Sequence, residues 1–166
     1  MWPTLVCRFW SNEHKWWGDF RFKFQGWSII IFYAIDTGIS VTVQRPSIWT
    51  IDLKTDKILN RYEIPETVAR DGGGFASLTV DVIDCQNNNT FVYVPDLLHS
   101  LILVYSYSTN TSYNVQHNFF HMHPFQGEYD VDDLKFSWDD AIFSIALSER
   151  DQNSSHRLAY FHPMSR

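Results

Sequence analysis

One unit recurs along this chain: an apolar stretch that closes on a polar residue or proline, a short loop, then a second apolar stretch. Ile31–Asp36 (IFYAID) is followed by Ile48–Leu53 (IWTIDL), and Phe91–Asp96 (FVYVPD) by Leu101–Tyr107 (LILVYSY). Tyr33 and Asp36 keep the same frame in the first copy as Tyr93 and Asp96 in the second. A third copy, Leu158–Pro163 (LAYFHP), places Tyr160 at a comparable interval. Self-similarity at a period of tens of residues marks a repeat architecture. Each apolar stretch is strand-sized, and strand-only repeats of this length predict a β-propeller, whose four-stranded blades leave few open edges.

The rest of the chain agrees with that reading. Lys54-Thr55-Asp56-Lys57 is a polar turn of hairpin length between predicted strands at Ile48–Leu53 and Ile58–Ile64, and Pro65 ends the unit. Phe75–Asp84, Phe91–Pro95, Leu101–Tyr107 and Ser112–His117 then give four consecutive predicted strands, the size of one complete blade. Leu134–Trp138, Ala141–Leu147 and Arg157–Pro163 begin another. No window carries the long 3.6-residue periodicity of a helix. The expected fold class is therefore all-β: part of a β-propeller, about two to three blades of four-stranded antiparallel sheet.

Residues 1–27 read differently. Trp2, Trp10, Trp16, Trp17 and Trp27 are interleaved with Arg, Lys and Phe without a period of two or 3.6. The expected organisation is an atypical N-terminal extension over 1–27 and a partial propeller over 28–166. Aromatic residues among basic ones can stack single-stranded nucleic acid, but no groove-forming fold surrounds these.

Charge and hydropathy narrow the function. The 166 residues carry a formal net charge of −6, with 45% hydrophobic and 17% aromatic residues, enough to build a core. No basic stripe is available for phosphates or an anionic membrane surface, so nucleic acid and membrane are not expected as partners. The longest apolar run, Ile29–Ile35, is far short of a bilayer span. The start, Met1-Trp-Pro-Thr-Leu-Val-Cys-Arg, lacks the basic, apolar and small-residue regions of a secretory leader. Oligomeric state and compartment are not legible, since Cys7 and Cys85 alone make no disulfide framework.

Several constellations invite chemistry. His117, His121 and His123 cluster, and on a strand the last two would share a face, but two histidines do not complete a zinc site. Glu128, Asp130, Asp132, Asp133, Asp139 and Asp140 form an acidic stretch without a calcium-loop pattern, and Asp139-Asp140 reads as a turn. Asp71-Gly72-Gly73-Gly74 lacks the Lys-Ser/Thr and helix of a phosphate loop, and no G-x-S-x-G elbow occurs. No metal, cofactor or catalytic residue is assigned. Asp36, Asp81 and Asp96 end or punctuate strands. Their commoner use is to cap a turn. At the mouth of a propeller channel such carboxylates would also attract a protonated amine, with Tyr33, Tyr93 and Phe161 adding cation–π attraction. Asp36, Asp96 and Tyr93 are the candidate ligand-binding residues.

A family resemblance follows from these residues in order. Arg45-Pro46-Ser47-Ile48-Trp49-Thr50-Ile51-Asp52-Leu53, Arg61-Tyr62-Glu63-Ile64-Pro65, Leu78-Thr79-Val80-Asp81, Tyr93-Val94-Pro95-Asp96 and Leu103-Val104-Tyr105 resemble the yellow and major royal jelly protein family of insects. Phe143–Ser148 and Leu158–Pro163 are similar to that family's G-x-x-L-S-P and L-Y-F-x-P segments. The resemblance covers roughly Tyr33 to Ser165, so the sequence before about Phe32 is expected to lie outside the family pattern. It implies an internal portion of a secreted six-bladed propeller. That in turn implies a binder of small aromatic amines or a cuticle pigmentation factor. The alternatives are a dopachrome-converting tautomerase and a nutritive or structural secreted protein. Secretion would make the sequons at Asn88, Asn110 and Asn153 candidate glycosylation sites. Cys85 matches a family cysteine, but its usual partners are missing: Ser28-Ile29-Ile30-Ile31 and Arg45 stand where the family carries cysteines, and the disulfide partner stays open.

Overall fold

The computed structural model describes residues 8–11, 30–36, 45–69, 73–84, 88–151 and 156–164, with 8–11, 30–34 and 36 described by backbone alone. The described residues contain no α-helix. A first four-stranded sheet contains β1 (Arg8–Ser11), β2 (Ile30–Asp36), β3 (Ser47–Asp52) and β4 (Lys57–Glu63), in that order. A second contains β5 (Thr79–Asp84), β6 (Asn89–Asp96), β7 (Leu101–Ser106) and β8 (Thr111–Gln116), an antiparallel meander. After a 3-10 turn at Asn118–Phe120 come two hairpin-like pairs: β9 (Glu128–Val131) with β10 (Leu134–Ser137), and β11 (Ile142–Leu147) with β12 (Ala159–Pro163).

Burial along the strands shows how the sheets stack. Every residue of β7 is buried, whereas the neighbouring edge strand β8 is exposed or half-buried throughout. An uninterrupted apolar run such as Leu101–Tyr105 is what a strand covered on both faces requires. One face of the complete sheet (Val92, Val94, Leu103, Tyr105) meets Ile48, Tyr62 and Ile64 of the first sheet, with Phe75 and Leu78 filling the gap. The opposite face (Ile102 and Val104, with Phe91 and Tyr93) meets Ile142, Ile145, Leu147 and Phe161 of β11 and β12, sealed by Phe120. The β2–β4 meander, the β5–β8 meander and the β11–β12 pair stack in chain order as consecutive blades, and the fold is a partial β-propeller.

Turn chemistry agrees with sequence. Asp56, Ser100, Asn110 and the pair Asp132-Asp133 take positive φ at hairpin tips, a conformation that Asn and Asp tolerate better than most residues. Asp52 closes the β3–β4 turn: its carboxylate accepts the Lys54 N–H at 2.9 Å and the Thr55 hydroxyl at 2.7 Å. The Thr55 hydroxyl, then the Lys54 amide, hold its carboxyl below the usual range.

Three local expectations are corrected. The segment from Phe75 becomes regular strand only at Thr79; Phe75 itself makes an isolated bridge to Asp96 and spends its ring in the core. The segment at Leu134 does not begin a blade with Ala141–Leu147, because β10 pairs instead with β9 across the Asp132-Asp133 tip. His121 and His123 are in a loop rather than on a strand: His117 Nδ1 accepts the Phe119 N–H at 3.1 Å and starts the 3-10 turn that displaces a strand there. A further strand, β1, falls in the atypical N-terminal stretch and pairs in parallel with β2, unlike β5, which runs antiparallel to β6.

Candidate functional site

The turn that joins β6 to β7 carries the most organised polar group in the described residues. Asp96 ends β6 and is 1% exposed. One of its oxygens, Oδ1, accepts three backbone N–H groups, from Gly74 at 3.0 Å, Leu98 at 3.1 Å and His99 at 3.0 Å. The other, Oδ2, lies 2.9 Å from Nδ1 of His99, whose side chain is 29% exposed. A buried carboxylate with both oxygens engaged is fixed in place, and it fixes the imidazole in turn. Among the described residues Nε2 of His99 has no partner, so the ring presents one nitrogen held by Asp96 and one available.

Neighbouring segments converge on this turn. Leu97 donates to the Gly74 carbonyl at 3.0 Å, and Ala141 donates to the Leu97 carbonyl at 3.2 Å. The chain leading into β5 and the chain leading into β11 therefore both touch the β6–β7 turn. Gly74 is required for this approach: a Cβ there would overlap the side chain of Leu98.

A second polar cluster lies further along β5, between the complete sheet and β11. Ser77, Thr79 and Asp81 alternate along the chain and face the same way. Ser77 donates to the Phe143 carbonyl at 2.8 Å and Thr79 to the Ile145 carbonyl at 2.5 Å. Asp81, 6% exposed, accepts from Arg150 at 2.5 Å, and Arg150 also donates to the Val82 carbonyl at 3.1 Å. Arg157 Nε lies 3.2 Å from the same Asp81 oxygen, an ion pair by distance but without hydrogen-bond alignment. This cluster joins two blades, and its groups point at one another. Tyr93 is near it: burial first, then the charge of Asp81, pushes the phenol up.

The sequence-derived candidates are dispersed. Asp96 is in the turn just described. Tyr93 is on the same strand three residues earlier, so its ring leaves the opposite face and packs between blades with Ile102, Ile142 and Phe161. Asp36 ends β2 and pairs with Ser47 as Asp96 pairs with Leu101, which preserves the repeat frame; its side chain, like that of Tyr33, lies outside the described residues. Cys85 and Asn153 also lie outside them. Asn88 is exposed at the tip before β6. Asn110 is exposed too, but its Oδ1 accepts the Tyr105 hydroxyl at 2.9 Å and the Asn60 amide at 3.1 Å.

Sequence reasoning missed His99, Arg150 and Arg157. His99 had a signal: a histidine three residues after a strand-ending aspartate falls within reach of it across a tight turn. The arginines had none, since Arg150 is 69 residues from Asp81 and meets it only through blade stacking.

Comparison with known proteins places these observations in a family. Residues 32–166 match the profile of the family described as Major royal jelly protein. The chain is 37% identical over 139 residues to L-dopachrome tautomerase yellow-f of Drosophila melanogaster, covering 80% of this chain and 32% of the relative. It is 30% identical over 140 residues to Dopaminechrome tautomerase of the same species, covering 80% and 30%. It is also 30% identical over 138 residues to Major royal jelly protein 9 of Apis mellifera, covering 77% and 33%. The chain spans about a third of the length of these curated relatives.

Proposed function

Since the chain belongs to the Major royal jelly protein family, we propose that the protein acts on catechol-derived aminochromes, isomerising them as a tautomerase does during pigment formation. The observation that carries this reading is the 37% identity to L-dopachrome tautomerase yellow-f, with a second relative also named for tautomerase activity. The chemistry asks little of a protein: a proton acceptor near a carbon acid and a pocket that holds an aromatic ring. Both aminochromes in the relatives' names are conjugated bicyclic quinones that become aromatic on isomerisation, and this chain is 17% aromatic residues that can stack on such a ring. Secretion, with a glycan on the exposed Asn88, belongs to the same reading.

The 30% identity to Major royal jelly protein 9, equal to that with Dopaminechrome tautomerase and to a relative whose name carries no enzymatic activity, leaves room for a second reading, a secreted binder of small aromatic amines. One experiment separates them. The full-length gene product and the 166-residue chain are each mixed with L-dopachrome and with dopaminechrome, and loss of the aminochrome colour is followed beside calorimetric titration with dopamine. The tautomerase reading expects decolourisation by the full-length protein well above the spontaneous rate. Tight amine binding without decolourisation would leave the binder, and neither result would leave a nutritive or structural role.

A further inference from the structure

We infer that His99 is the proton-transfer residue of this reaction and that Asp96 is its positioning residue. This rests on the tautomerase reading above. Of the polar groups in the described residues, this pair has the geometry such a step needs. Asp96 is locked by three backbone N–H groups and faces the ring nitrogen Nδ1 at 2.9 Å. A carboxylate held there keeps the Nδ1–H tautomer, so Nε2 carries the lone pair and is the basic nitrogen. The ring is half-buried, walled by a turn to which the segments leading into two successive blades are bonded. The other buried carboxylate near an aromatic, Asp81, is engaged by Arg150 and flanked by Arg157, and so faces its own partners rather than a ligand.

The step balances without an oxidant or reductant. Isomerising an aminochrome to a dihydroxyindole moves two protons from ring carbons to the two quinone oxygens. In each shift His99 Nε2 takes the proton as the C–H bond breaks. The electron pair passes through the conjugated ring to a quinone oxygen, which takes a proton from solvent, and His99 returns its own to solvent. Asp96 stabilises the imidazolium formed in between without itself being protonated.

The test uses the full-length protein and its dopachrome decolourisation rate. His99→Gln should lower kcat roughly 10²- to 10⁴-fold, the usual contribution of a positioned acid–base group, with the melting temperature unchanged, and should abolish the acid limb of the pH–rate profile. His99→Ala should be partly rescued by added imidazole. Asp96→Asn keeps an oxygen for the three backbone donors but replaces Oδ2 with an amide that cannot accept from Nδ1. It should fold, lose less activity than His99→Gln, and shift the pH limb. A folded His99→Gln protein with wild-type kcat and an unchanged pH profile would overturn this assignment while leaving the tautomerase reading intact. A wild-type protein that converts no aminochrome would overturn both.

Discussion

The two interfaces of the complete blade are built differently. Toward the first sheet the contact is broad and apolar, and its polar groups are uncharged. Tyr62 and Tyr105 stack at 4.6 Å, the Tyr105 hydroxyl donates to Asn110 and accepts from Asn60 at 2.9 Å, and Asn114 donates to the Val68 carbonyl at 2.7 Å. Toward β11 and β12 the apolar cluster is smaller and is supplemented by hydroxyl–carbonyl bonds and the Asp81–Arg150–Arg157 group. A charged cluster whose arginines are about a quarter open to solvent is screened by salt, whereas apolar burial draws nothing from ion pairing. One blade can thus be held on one side mainly by packing and on the other partly by charge.

That contrast can be broken at several points. The largest effect concerns the third layer as a whole: Leu134, Phe136, Trp138, Phe143, Leu158 and Tyr160 are exposed. The 166-residue chain alone should self-associate in sedimentation experiments, and a version long enough to cover that face should be monodisperse. Next is Tyr105→Ala, which should cost about 4 kcal/mol in urea unfolding by emptying a fully buried ring site. Asp81→Ala should cost about 3 kcal/mol, because it leaves two arginines facing each other, and the wild-type margin over it should shrink at high salt. Tyr105→Phe and Thr79→Val, each removing hydrogen bonds but little volume, should cost about 1 kcal/mol apiece.

Alkaline pH acts on the apolar side of the blade, through Tyr105. Burial pushes the Tyr105 phenol up to about 12 from an ordinary 10, despite the opposing hydrogen bond from Asn60. The folded state therefore holds this proton more tightly than the unfolded one. The stabilisation is complete below pH 10 and is lost as pH rises from 10 through 12. Tyr105→Phe should lose less stability than wild type over that window, measured by urea unfolding at several pH values.

The order of strands was largely legible because each repeat carries its own local signals. Lys54–Lys57 mark a turn by composition, and Leu101–Tyr107 reads as a strand from its apolar run. The boundaries that moved did so for non-local reasons. Phe75 is apolar and strand-like, yet the core wanted its ring and left Ala76–Leu78 irregular. Strand β9 (EYDV) has too little apolar content to announce itself and forms only because Asp132-Asp133 can turn with positive φ. Of the candidate site residues, Asp96 was visible as a strand-end aspartate, but its partner was not sought. Asp36 and Asp96 are both candidate ligand contacts by sequence, and the side chain of Asp96 accepts the N–H groups of its own turn. Arg150 and Arg157 could not be linked to Asp81 without knowing which blades stack.

Native-state hydrogen exchange tests the stacking of consecutive blades most directly. In the 166-residue chain the slowest amides should be those of β6 and β7, with β11 and β12 opening earlier, and in a full-length version that gap should close as β11 and β12 gain a covering blade. Amides of β11 and β12 that are as protected as those of β7 in the short chain would show that the third layer is complete in itself and would contradict the account.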